Sequence, residues 1–147
     1  MSITRDTRPV DPQDQARRAV LNDLAKALRG THKALLEAVK RDFEAQHGPI
    51  GGPLKVFKLV MDDPFFAWLR PLSGQMALVD ERIDDKAKLE ESEMRDMHDA
   101  VRALFEDRAA PESFGAYYAA RLGADADVAA LHAPLLETLG RMLEPPA

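Results

Sequence analysis

Three of the four histidines, His32, His98 and His132, fall on or beside the apolar stripes of three different helical segments. Histidines converging from facing helices are how a helical core holds a metal ion or a haem, so they give the sharpest chemical reading of the chain. The neighbouring carboxylates do not support it. A di-iron core needs Glu-x-x-His pairs, because residues three apart share a helix face. Here the residues three before the histidines are Arg29, Arg95 and Ala129. Glu37 lies five residues from His32 and points elsewhere, and no His-Glu-x-x-His zinc helix occurs. An inward histidine with one hydrogen bond is also an ordinary core residue. His47, just before Gly48, is expected near a helix C-terminus, where an imidazolium is favoured.

Other chemistry finds little footing. There is no cysteine, hence no disulfide, thiol nucleophile or Cys-ligated zinc. No Gly-x-Ser-x-Gly elbow is present. The glycine-rich "GPIGGP" (48–53) lacks the Lys-Ser/Thr of a phosphate loop. Asp80, Glu81, Asp84 and Asp85 lack the oxygen spacing of a calcium loop and read as a solvated helix end. No catalytic residue and no cofactor is therefore expected. Residues 1–48 hold nine basic and seven acidic side chains, a balance of +2, and residues 91–147 hold five and eleven, a balance of −6. That distribution is no footprint for nucleic acid. No apolar run approaches the ~18 residues of a membrane span. The opening "MSITRDTRPVDPQDQ" has no apolar secretory stretch, so a cytoplasmic location is expected.

A chain of 147 residues suits one domain, with 1–10 and 144–147 expected to fray. Strand patterns are nearly absent. Asp11 and Pro12 open a helix whose apolar residues Leu21, Leu24, Leu28, Leu35, Val39 and Phe43 recur near every 3.5 positions, and Gly48 ends it. A break at Gly30, with Thr31 as a new cap, is an open alternative. A short helix over 54–61 follows. A third runs from Asp63-Pro64 to about Asp84, and the charged stretch 80–92 becomes an exposed connection. Ser92 is expected to cap a helix striped by Met94, Met97, Val101, Leu104 and Phe105. A short helix over 114–122 splits Tyr117 and Tyr118 between surface and core. Asp125 or Asp127 caps the last helix, with Val128, Leu131, Leu135, Leu136, Leu139 and Leu143 inward. The fold class is all-α, a helical bundle of four main helices and two short ones.

The segment "DPFFAWLRPLSG" (63–74) holds the only tryptophan and a proline amid apolar residues. Phe65, Leu69, Leu72, Met76, Val79 and Ile83 keep helical spacing across Pro71, which predicts one helix bent outward at the proline. Such a bend pushes Arg70 off helical angles and frees the Ala67 carbonyl. Trp68, Arg70 and Pro71, beside that carbonyl, are the candidate partner-binding residues, since Trp and Arg are enriched at binding hot spots.

"HGPIGGP", "DPFFAWLRPLS" and "VDE", in that order, resemble a family of small bacterial proteins with no assigned activity. The likeness covers about residues 30–85, and only its middle word is long and specific. It implies a bacterial source and a role beyond packing for residues 63–81. The expected function is a non-catalytic protein-interaction or regulatory module that binds another protein or a second copy of itself. For self-pairing, Arg17, Arg18, Leu21 and Leu24 on an overhanging first helix offer a seam. The alternative is a metal- or haem-binding bundle using His32, His98 and His132. Elemental analysis and an absorption spectrum of the purified protein separate the two: a stoichiometric metal or a Soret band, lost on His→Ala substitution, establishes the second.

Overall fold

The computed structural model describes residues 11–145, and among these every regular element is a helix. They are α1 (Pro12–His47), α2 (Pro53–Asp62), a 3-10 helix (Pro64–Leu69), α3 (Arg70–Asp84), α4 (Glu91–Glu106), α5 (Phe114–Ala124) and α6 (Ala126–Met142). The expected fraying falls on residues outside the described ones, except for 144 and 145. Among the described residues no helix is long and apolar enough to cross a membrane.

α1 is a single helix of 36 residues, ~54 Å long at 1.5 Å per residue. The Asp11 carboxylate accepts from the Gln13 and Asp14 N–H groups, Pro12 occupies the first turn, and Gly48 ends the helix at φ 83°. The chain does not break at Gly30, although glycine costs ~1 kcal/mol relative to alanine in a helix interior. Packing holds it. Leu21, Leu24, Leu28, Leu35 and Val39 are buried along one side, and Thr31, the alternative cap, is wholly buried. α6, α3 and α4 lie against this row, with the 3-10 helix at its C-terminal part.

The third segment is not one bent helix. Residues 64–69 wind as a 3-10 helix and α3 begins at Arg70, which puts Pro71 in the first turn. A proline there removes no needed donor, so no kink follows. Arg70 has ordinary helical angles, φ −61° and ψ −40°, and its N–H donates to the Ala67 carbonyl. The expected free carbonyl does not exist. The tighter winding also explains the buried set, for Phe66, Leu69 and Leu72 sit three apart, the 3-10 period. Phe65 is only partly buried, and joins Phe66 in edge and tilted contacts with Phe43 of α1, at 5.5 Å each.

The connection after α3 is exposed but anchored. Leu89 within it is fully buried, against expectation. Its N–H donates to Asp14 Oδ1 at 2.7 Å and its carbonyl accepts from Arg17 at 3.2 Å. Arg18 donates to the carbonyls of Ile83, Asp85 and Ala87. Arg82 reaches the carbonyls of Asp85, Ala87 and Lys88 and grips Glu93 at 2.6 and 3.0 Å. Three guanidinium groups thus satisfy carbonyls that no helix accommodates. Glu90, not Ser92, caps α4, in a capping box with Glu93. These contacts also overturn the expected self-pairing seam. Leu21 and Leu24 are fully buried within the chain, and Arg17 and Arg18 are engaged with the connection.

Ser113 caps α5 and Asp125 caps α6. Gly115 lies so close to the preceding turn that an added Cβ would collide with the Asp107 carbonyl. Tyr118 is buried and Tyr117 half exposed, as the sequence predicted. α6 carries Pro134 in its interior, which the apolar pattern did not weigh. Its buried face is Val128, Leu135, Thr138, Leu139 and Met142, while Leu136 and Leu143, expected inward, are exposed.

Two outcomes follow from this packing. Gly115→Ala should lower the unfolding midpoint by the equivalent of several kcal/mol, since the obstacle is backbone rather than a yielding side chain. The Arg82 hydrogen bond draws the Glu93 carboxyl from an ordinary 4.5 down to about 2, and the Leu89 N–H lowers that of Asp14. Both groups bind protons more weakly in the folded state. Their stabilisation is therefore complete above about pH 4.5 and is lost as pH falls towards about 2. In urea melts, Arg82→Gln should be less stable at neutral pH and lose less than wild type on acidification.

Candidate functional site

The three inward histidines find three separate partners. His32 Nε2 lies 3.2 Å from Ser73 Oγ, across α1 and α3, and partial burial lowers the imidazole pKa below its ordinary value. A serine beside a neutral imidazole is the start of a nucleophile–base pair. The contact joins α1 to α3, and Ser73 Oγ also lies 3.4 Å from the Leu69 carbonyl, to which it can donate. His98 Nδ1 lies 2.8 Å from Asp99 Oδ1, which calls for a proton on Nδ1, and buried Nε2 has no partner among the described residues. His132 Nδ1 is 2.9 Å from the Tyr118 hydroxyl. Burial pushes that phenol up to about 12, so it stays protonated. Among the described residues no group of three or more His, Asp or Glu side chains is placed to hold a metal ion. The joint site of His32, His98 and His132 is not assembled.

Trp68, Arg70 and Pro71 have different surroundings. The Trp68 ring is partly buried, stacked on Tyr117 at 4.9 Å and 18° and tilted against Phe114 at 5.8 Å. Pro71 is exposed in the first turn of α3. The Arg70 guanidinium turns back to the Met61 carbonyl at 2.7 Å, in the last turn of α2. A cation on the closing carbonyls of a helix is favourable, so Arg70 tethers α2.

What Arg70 holds is the most exposed apolar feature of the protein. α2 buries none of its ten residues fully. Val56, Leu59 and Val60 rest partly against the core. On another face Leu54, Phe57 and Met61 remain 82, 63 and 57% exposed. Their 3-4 spacing makes one continuous strip. Beside it, Lys55, Lys58 and Asp62 repeat the same spacing. An open groove of about 520 Å³ separates that flank from the end of α1, with Phe43, His47 and Pro49 opposite. The sequence carried a signal for this: in "PLKVFKLVMD" the apolar residues fill the whole circumference outside the Lys55–Lys58–Asp62 flank, more than one buried stripe can use.

A second groove, of about 540 Å³, runs between α1 and α6. Lys26, Arg29 and Lys33 stand along its α1 side and Arg141 on its α6 side, over Ala27, Gly30, Leu131 and Pro134. Arg141 is paired with Asp23 at 2.9 Å, and Arg29 meets Asp80 only at 3.8 Å, both side chains more than half exposed. Among the described residues Lys26 and Lys33 have no carboxylate within ion-pair reach.

No family model, curated protein or solved structure matches this chain.

Removing the α2 tether is a direct check on its role. Arg70→Ala should cost about 1 kcal/mol or less, as expected of a largely exposed hydrogen bond. It should nonetheless speed amide hydrogen exchange over 53–62 and leave α1 unchanged.

Proposed function

We propose that this chain is a non-catalytic interaction protein, a helical bundle that pairs with a second copy of itself through α2. The observation that carries the reading is the Leu54–Phe57–Met61 strip, exposed on a helix that the rest of the fold holds in place. Contiguous exposed apolar patches mark association surfaces, whereas single exposed leucines such as Leu78 do not.

The choice of a second copy rests on order along the helix. In a two-fold antiparallel pairing, Leu54 of one copy meets Met61 of the other and the Phe57 rings meet at the axis. The flanks then bring Lys55 of one copy beside Asp62 of the other, twice. A flank with Lys55 at one end and Asp62 at the other is complementary to its own copy when the two helices run antiparallel, an arrangement that a two-fold axis generates, while Lys58 of each copy lies near the axis and weakens the pairing. One ten-residue helix exposes far less than the ~800 Å² per partner of a standard interface, so the pairing is weak and concentration-dependent.

Sedimentation equilibrium over a wide concentration range tests this. Wild type should shift from monomer to dimer, and Phe57→Glu should remain monomeric with an unchanged melting temperature. Lys55→Asp and Asp62→Lys should each weaken the dimer, and the double variant should restore it. A wild-type chain that stays monomeric throughout, or singles that do not compensate in the double, overturns the proposal.

A further inference from the structure

The groove between α1 and α6 combines two features that the fold itself does not need. Gly30 sits in the middle of α1, yet a Cβ there would meet only Leu131 Cδ2, at an ordinary 3.9 Å. Close packing of α6 is thus no reason for a glycine. Pro134 lies in the interior of α6 and is exposed, so no buried contact requires it either. Both residues weaken their own helix, and both line the same groove. Together with Ala27 they keep its floor shallow in side-chain bulk and apolar, with Leu131 as the one large side chain. Above this floor, Lys26, Arg29 and Lys33 form a row spaced three and four apart along α1. They span ~10 Å at helical rise. The protein as a whole carries a net charge of −5, so a row of basic side chains without firm partners runs against its own balance.

We propose that this groove docks an acidic amphipathic helix from another protein. Its apolar stripe would seat over Ala27, Gly30 and Pro134, where missing side-chain bulk admits leucine-sized groups. Its acidic flank would meet Lys26, Arg29 and Lys33, carboxylates at helical spacing matching ammonium and guanidinium groups at helical spacing. A fatty acid offers one carboxylate to three cations. A nucleic acid would find no aromatic side chain in the groove on which to stack a base. Asp23 at one end is neutralised by Arg141 and does not oppose the acidic flank. The groove is distinct from the α2 strip, and nothing in this proposal depends on self-pairing.

The test is fluorescence anisotropy of the full chain with a labelled helical peptide built from leucine in a 3-4 repeat flanked by glutamate. Saturable binding is expected, weakening between about 0.1 and 1 M salt as screening shortens. The Lys26→Glu/Lys33→Glu double variant should weaken it at least about tenfold, as lost charge complementarity does. Gly30→Ala gives the second handle: its melting temperature should equal or exceed that of wild type, while peptide binding falls several-fold because the floor is filled. Phe57→Glu should bind the peptide as wild type does. Absence of binding overturns the proposal. So does equal binding of a control peptide with alanine for leucine, or Gly30→Ala binding unchanged. Oleate displacing the peptide from the groove at lower concentration than unlabelled peptide would assign the site to a lipid anion and overturn it as well.

Discussion

The continuity of α1 is the constraint on which the rest of the fold depends. The buried row from Leu21 to Val39 spans both sides of Gly30. A helix that stopped at Gly30 and restarted at Thr31 would rotate one half of that row away from the other. α6, α3 and α4 all lie against α1, so they share one straight reference. Short helices are marginal alone in water and gain their stability from buried faces. Here those faces are aligned by a neighbour some three times longer than α2 or α5. The local cost of glycine is a small term beside a row of leucines, each contributing roughly 1.5–3 kcal/mol on full burial.

The two ends of α1 are treated differently. Near its start, Asp14, Arg17 and Arg18 reach across to residues 83–89, and Arg82 closes the same stretch from α3. Backbone carbonyls there are met by charged donors, and Leu89 is drawn into the core as an anchor. Near its end, Phe43 packs on Phe65 and Phe66, and the 3-10 helix provides the only firm platform under α2. Beyond that platform α2 is held by a partial apolar face and one arginine bond to its last turn. Rigid support below and a loosely covered helix above is an arrangement suited to presenting a surface, since ordering is already complete before a partner arrives.

Much of this was legible in the residues. Asp11, Pro12 and Gly48 marked α1, and the apolar spacing marked α3, α4 and α6, because caps and periodicity act locally. The departures arose where two local rules competed. Across Pro71 the spacing of apolar residues is compatible with both a bent helix and a 3-10 turn leading into a new first turn. The proline's lost donor decides for the second, which removes the penalty instead of absorbing it. Leu89 lay in a charged stretch and carried no periodic neighbours, so only long-range partners reveal its burial. Trp68 and Arg70 were conspicuous by type, yet each meets a partner within the chain. The α2 strip was conspicuous by excess, with apolar residues around all of a ten-residue helix outside its Lys55–Lys58–Asp62 flank, and attention to a single stripe hides that.

Local rules are broken most visibly at Gly30, Pro134 and the outer face of α2, and these positions lie at the α1–α6 groove and the strip, not in the core. A folded chain tolerates such departures where they do something other than hold the fold. Their electrostatic setting sharpens the point. The C-terminal 57 residues carry a balance of −6, while the exposed side of α1 over 26–33 is basic. At physiological salt, charges separated by more than ~8 Å scarcely feel each other. α6, although part of that acidic stretch, lines the groove with Leu131, Pro134, Thr138 and Arg141 and no carboxylate, so the acidic charge lies away from the basic row and repels an acidic helix from the rest of the surface. Attraction along one groove and repulsion elsewhere fix orientation as well as strength, and they do so with side chains that contribute little to stability.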